Sequence, residues 1–188
     1  MESKMTVQYD RQHFSTPSMA LHWLMALLLV ATAATMELKG IYPKGSAERD
    51  ALKGVHYMLG ASVFILVWLR LLARAVGTVP PITPTLPVWQ ARLSHVVQWA
   101  LYALMIGLPV LGLLTLSAAG KPVSLLWGWQ LPLLPLAKNI DTARWFKDLH
   151  ETGATVGYAL VGLHTAAALV HHYFQHDNTL LRMLPRRR

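Results

Sequence analysis

Apolar residues along this chain gather into four long runs separated by polar loops. The runs cover about 19–38 (MALHWLMALLLVATAATMEL), about 54–72, about 95–116 and about 150–173. Each comes near the roughly 20 residues, in a range of about 17–25, that a helix needs to cross a bilayer. All are too long and too evenly apolar for strands. The pattern predicts an all-α integral membrane protein, one domain over 1–188, folded as a four-transmembrane-helix bundle. A further apolar stretch, 122–137, falls in the outer loop 117–149. It holds Pro122, Pro132 and Pro135, and a proline inside a helix costs about 3 kcal/mol. It reads instead as an irregular segment on the membrane surface, with Trp127 and Trp129 at headgroup level. Residues 1–18 are polar and lead into a full-length span with no small-residue cleavage site, so no cleavable leader is expected.

Composition agrees with this reading. Of the 188 residues, 54% are hydrophobic and 14% charged, against about 25% charged in soluble domains. Cysteine is absent. That excludes disulfides, iron–sulfur clusters, thiolate zinc sites and covalent c-type haem. Any haem must be held non-covalently.

Four spans put both termini on the same side as the loop 73–94. That side carries Lys4, Arg11, Arg70, Arg74, Arg92, Arg182, Arg186, Arg187 and Arg188. The opposite side carries Lys39, Lys44, Arg49, Lys53, Lys121, Lys138, Arg144 and Lys147. The even split leaves orientation to the clusters Arg70/Arg74 and Arg186–Arg188 near helix ends, which favour cytoplasmic termini. The outer loops hold more cations than topology needs. They could simply lie beside anionic headgroups, or they could draw a small anion inward. Glu37, Glu48, Asp50, Asp141, Asp148 and Glu151 dilute that field. The lipid bilayer is the expected partner, nucleic acid is not, and a monomer suffices.

Ionisable residues inside a span are costly and therefore point to function. His22 falls about one turn into span one on the inner side, and His56 about one turn into span two on the outer side. His150 opens span four on the outer side, and His164 lies nearer its inner end. From His150 to His164 is about 21 Å of helix, and the turn angle brings both imidazoles within about 40° of one face. Gly157 falls midway on that face, and Gly60 one turn past His56; either could leave room for a bulky planar group. His22 lies about 25 Å inward of Lys39, matching the depth of His164. His95 would lie about 37 Å from Gly120, too far in to pair easily with His164. Depth therefore pairs His56 with His150 and His22 with His164. Two imidazoles across one iron make a six-coordinate haem suited to electron transfer. His171 and His172, two turns beyond His164, read as surface or quinone-headgroup residues; His13 and His176 read as surface.

Several motifs resemble the bacterial cytochrome b561 family: SMALHW at 18–23, GVH at 54–56, LHET at 149–152, and the ending GLHTAAALVHHYFQHDNTLLRMLP at 162–185. The resemblance runs from about Tyr9 to Arg188 and is strongest in the long C-terminal motif. It implies haem ligands on spans one, two and four, hence two haem b in a bacterial inner membrane, ligated by His22, His56, His150 and His164. Within the family the chain is most similar to members that oxidise superoxide and reduce ubiquinone. That implies superoxide arriving outside at the haem of His56 and His150, and electrons passing through the inner haem to ubiquinone. The outer cations nearest those ligands are Lys39, Lys44, Lys53, Arg144 and Lys147, which would steer the anion. His171, His172, Arg70 and Arg74 are the quinone candidates. One departure stands in span three: such members carry a second histidine about a turn after the position of His95, where this chain has Gln98.

Two other classes compete. A generic di-haem subunit would relay electrons between a quinone pool and a dehydrogenase- or hydrogenase-type partner, and should show a shaped or apolar outer face. A non-redox transporter would use histidines for metal or protons, but usually shows internal repeats and broken helices. No repeat is present, and only Pro109 interrupts a span.

Overall fold

The computed structural model describes residues 13–124 and 130–185. In chain order these form α1 (Thr16–Leu38), a 3-10 turn (Lys39–Ile41), α2 (Ala47–Val76), α3 (Val88–Ala118), β1 (Val123–Ser124), β2 (Gln130–Leu131), α4 (Ile140–Tyr173) and a second 3-10 turn (Leu181–Met183). The four helices are long and apolar enough to cross a membrane, which makes this a multi-pass membrane protein.

Three helices start well before their apolar runs, and in two of them, α2 and α4, a side-chain cap holds the polar first turn. α2 begins at Ala47 rather than near 54. The Ser46 side chain accepts from the Arg49 N–H at 3.3 Å, and Glu48 and Asp50 sit in the first turn, where negative charge suits the helix dipole. α4 begins at Ile140 rather than 150. The Asn139 side-chain oxygen accepts from the Asp141 and Thr142 N–H groups, each at 3.0 Å. α3 begins at Val88, directly after Pro87, rather than at 95. His56 and His150 therefore lie about two and a half turns inside their helices, not at their first turns.

α3 ends in a Schellman motif. The Gly120 N–H reaches the Ser117 carbonyl and the Lys121 N–H the Leu116 carbonyl, both at 3.0 Å. Gly120 has a φ of 63°, a left-handed conformation that suits glycine. Beyond it the proline-rich stretch is no helix among its described residues. β1 pairs antiparallel with β2, Val123 opposite Leu131 and Ser124 opposite Gln130, and Leu133, Leu134 and Leu136 are exposed. Trp127 and Trp129 lie outside the described residues.

α1 packs along α2 and α3 along α4, with α2 bridging to α3. A core of Met25, Val63, Val67 and Tyr102 joins α1, α2 and α3, with Leu28, Leu29, Leu66, Met105 and Ile106 packed around it. α4 lies outside this core. Its one buried residue is Ala143.

The segment after α4 closes the end of the bundle at which α1 begins, the end expected to be the inner one. The Trp23 indole N–H donates to the Met183 carbonyl at 2.7 Å, and the Phe14 N–H to the Arg182 carbonyl at 3.1 Å. Asn178 exchanges two hydrogen bonds with Thr83 and donates to the Pro81 carbonyl. Arg182 donates to the Pro80 carbonyl and stands 5.5 Å over the Phe14 ring. Asp177 lies buried at the centre, 2.5 Å from His171 Nδ1 and 2.8 Å from the Thr179 N–H.

Candidate functional site

α4 brings two histidines to neighbouring helices at two depths. His150 meets His56 of α2 with ring centres 6.1 Å apart and planes at 75°. His164 meets His22 of α1 with ring centres 6.3 Å apart and planes at 71°. A metal–imidazole bond is about 2.0–2.1 Å and the ring centre lies ~1.1 Å behind the nitrogen, so two rings sharing one metal have centres roughly 6.3 Å apart. Both pairs have that spacing. Among the described residues no three His, Asp or Glu side chains gather to hold a bare metal ion. A two-imidazole site needs further donors in the plane between the rings, which a porphyrin supplies. The four histidines thus fit two haems.

Hydrogen bonds orient the outer pair. His150 Nδ1 lies 2.8 Å from the Leu108 carbonyl, and His56 Nδ1 lies 3.2 Å from the Thr32 carbonyl and 3.4 Å from the Thr35 hydroxyl. A carbonyl can only accept, so each Nδ1 carries the proton and donates it. Each Nε2 then keeps its lone pair for a metal, and the bond fixes ring orientation and raises ligand basicity. Gly112 makes space for His150: a Cβ there would stand 3.5 Å from its Cε1. Gly60 also opens onto free space, while a Cβ at Gly157 would meet Leu104 of α3 at 3.7 Å.

The outer cations divide into two groups. Lys53 pairs with Asp50 at 2.7 Å, Arg144 with Asp141 at 3.2 Å and Lys147 with Glu151 at 2.7 Å. These surface pairs add little stability, and each cancels its cation's pull on an anion. Lys39 and Lys44 make no ion pair among the described residues. Lys39 is half-buried just after α1, with Nζ 3.3 Å from Met36 Sδ. Arg49 was not singled out by the sequence. It donates to the Lys39 and Tyr42 carbonyls at 3.1 and 2.8 Å, tying down the α1–α2 loop while keeping its charge.

On the inner side the four quinone candidates separate. His171 is engaged by Asp177, and His172 is half-buried next to it. Arg74 is half-buried at the end of α2, whereas Arg70 is buried one turn earlier beside Tyr102. His95 is exposed with Nδ1 2.6 Å from the Ala91 carbonyl, and Gln98 is half-buried on the same helix. The buried Asp177 could have been suspected from the polar run HDNT that follows an apolar span. The two carbonyl partners, Thr32 and Leu108, carry no side-chain signal at all.

Residues 13–186 match the family model of prokaryotic cytochrome b561. The chain is 38% identical over 175 residues to cytochrome b561 homolog 1 of Escherichia coli, covering 93% of this chain and 98% of that one. It is 34% identical to the "Probable superoxide oxidase CybB" of Yersinia pestis, covering 93% and 97%. Cytochrome b561 homolog 2 of Escherichia coli is 30% identical, with 92% of each chain covered. The fold, the span count and the near full-length match agree: this chain belongs to the prokaryotic cytochrome b561 family of haem-binding membrane electron-transfer proteins.

Proposed function

We propose that this protein is a di-haem b cytochrome of the bacterial inner membrane, with both termini cytoplasmic, that oxidises superoxide at the periplasmic face and delivers the electrons to ubiquinone. The observation that carries this reading is the placement of His150 and His164 about 21 Å apart along one helix, each facing an imidazole of a neighbouring helix at the spacing of a shared metal. When bound, two six-coordinate haems supply one-electron transfer with no open position for oxygen. His56 and His150 would hold the outer one, His22 and His164 the inner one. The Thr32 and Leu108 carbonyls hold the outer imidazoles in the tautomer that ligation requires. The name of the Yersinia pestis relative supports superoxide as the electron donor, as do Lys39, Lys44 and Arg49 around the α1–α2 loop, which carry no ion pair among the described residues. These cations would raise the local concentration of a small anion there.

Stopped-flow mixing of superoxide with the purified protein in the presence of ubiquinone tests the reading. The haem bands should reduce on mixing. Lys39→Glu and Lys44→Glu should slow that phase several-fold, more so at low salt. No reduction by superoxide, with full reduction by a quinol, would favour a relay serving a protein partner.

A further inference from the structure

Arg70 is the one arginine placed within the helical core of the described bundle. It is 8% exposed and its Nη1 has no hydrogen-bond partner. Its guanidinium stands 5.9 Å over the ring of Tyr102, itself 4% exposed with an unpartnered hydroxyl. Two orphaned donors thus meet in one buried place. Arginines near span ends usually snorkel to the headgroups; Arg70 is turned inward instead. From His56 to Arg70 is the same number of residues as from His150 to His164, so Arg70 lies at the depth of the inner pair and near the α2 face that bears His56. Helical side chains lean toward the helix N-terminus; α2 and α4 cross the bundle in the same direction, so Arg70 and His164 lean together and stay at one depth.

A buried cation needs a counter-charge, and the described residues offer none here. Glu37, Glu48, Asp50, Asp141, Asp148 and Glu151 belong to the outer ends of the helices. Asp177 is taken by His171 and Thr179. Among the described residues no carboxylate pairs with Arg70. Arg70 stands at the depth of an imidazole pair spaced for a haem, and the anion such a group brings to that place is a haem carboxylate. We propose that Arg70 and Tyr102 dock a propionate carboxylate of the haem held by His22 and His164. A quinone carbonyl could accept from the same two groups, but it is neutral and would leave the buried charge uncompensated. The inference rests on the two-haem reading above.

Purified protein in detergent provides the test, by haem content per chain and by potentiometric titration of the haem bands. His22→Ala identifies which signal belongs to the inner haem. Arg70→Gln should lose that haem, or keep it with a lower midpoint potential because a nearby positive charge favours the reduced form; the outer signal should not move. Arg70→Lys should restore part of the loss, and Tyr102→Phe should shift the inner midpoint in the same direction by less. Unchanged haem content and inner midpoint in Arg70→Gln would overturn the proposal, as would loss of quinone reduction alone. If Arg70→Gln does not accumulate, Tyr102→Phe decides, and an unchanged inner midpoint overturns it. Wild-type protein without haem would instead overturn the two-haem reading.

Discussion

At Gly112 the backbone of α3 passes so close to His150 that even a methyl group would touch the imidazole. Alanine there makes only ordinary contact, but a branched side chain must move the ring off the Leu108 carbonyl. Gly112→Leu should therefore lose the outer haem selectively, halving the haem per chain while the inner signal persists; Gly112→Ala should retain both. Asp177 is a second decisive residue. Burial works against its charge, but the hydrogen bonds from Thr179 and His171 outweigh that and hold its carboxyl below the ordinary 3.8. A lowered value in the folded state means the stabilisation is complete above the ordinary carboxylate range and is lost as pH falls through the lowered value. The thermal midpoint should stay level near neutral pH and drop in acid. Asp177→Asn should cost about 1–3 kcal/mol at neutral pH by unpairing buried donors, and should flatten the acid limb.

Among the elements, the helices were legible in the sequence as apolar runs and their ends were not. The runs reported the stretches that face lipid or core. They could not report the polar first turns of α2 and α4, which are held by Ser46 and Asn139 rather than by burial. The outer histidines consequently sit deeper in their helices than a hydropathy boundary implies, although their depth relative to each other is unaffected. The termination of α3 is a further feature of backbone conformation. With Gly120 at a φ of 63°, Gly120→Ala should destabilise the protein by about 1–2 kcal/mol, read as a lower unfolding temperature in detergent with unchanged haem bands.

For the whole molecule, what sequence spacing captured best is the arrangement along one helix. Fourteen residues between His150 and His164 fix depth and facing by helix geometry alone, and the structure places His56 and His22 opposite them. What spacing could not reveal is everything that depends on neighbouring chains of atoms: the carbonyls of Thr32 and Leu108, the ion pairs that neutralise Lys53, Arg144 and Lys147, and the burial of Arg70. These arise from contacts between helices, where residue type carries little information about the partner. The C-terminal motif shows the same division. Its length and polarity signalled importance, while its work as a lock on the inner ends of α1, α4 and the loop 77–87 emerges only from the contacts of Trp23, Asn178 and Arg182. The central claim is that the two imidazole pairs each hold one haem. The most direct test is haem content and the reduced-minus-oxidised spectrum of the purified protein and of the four single histidine-to-alanine variants. The account predicts two b-type haems in the wild type, loss of one and the same signal in His56→Ala and His150→Ala, and loss of the other in His22→Ala and His164→Ala. Loss of one signal shared instead by His56 and His164 variants, or bands unchanged in any of the four, would contradict it.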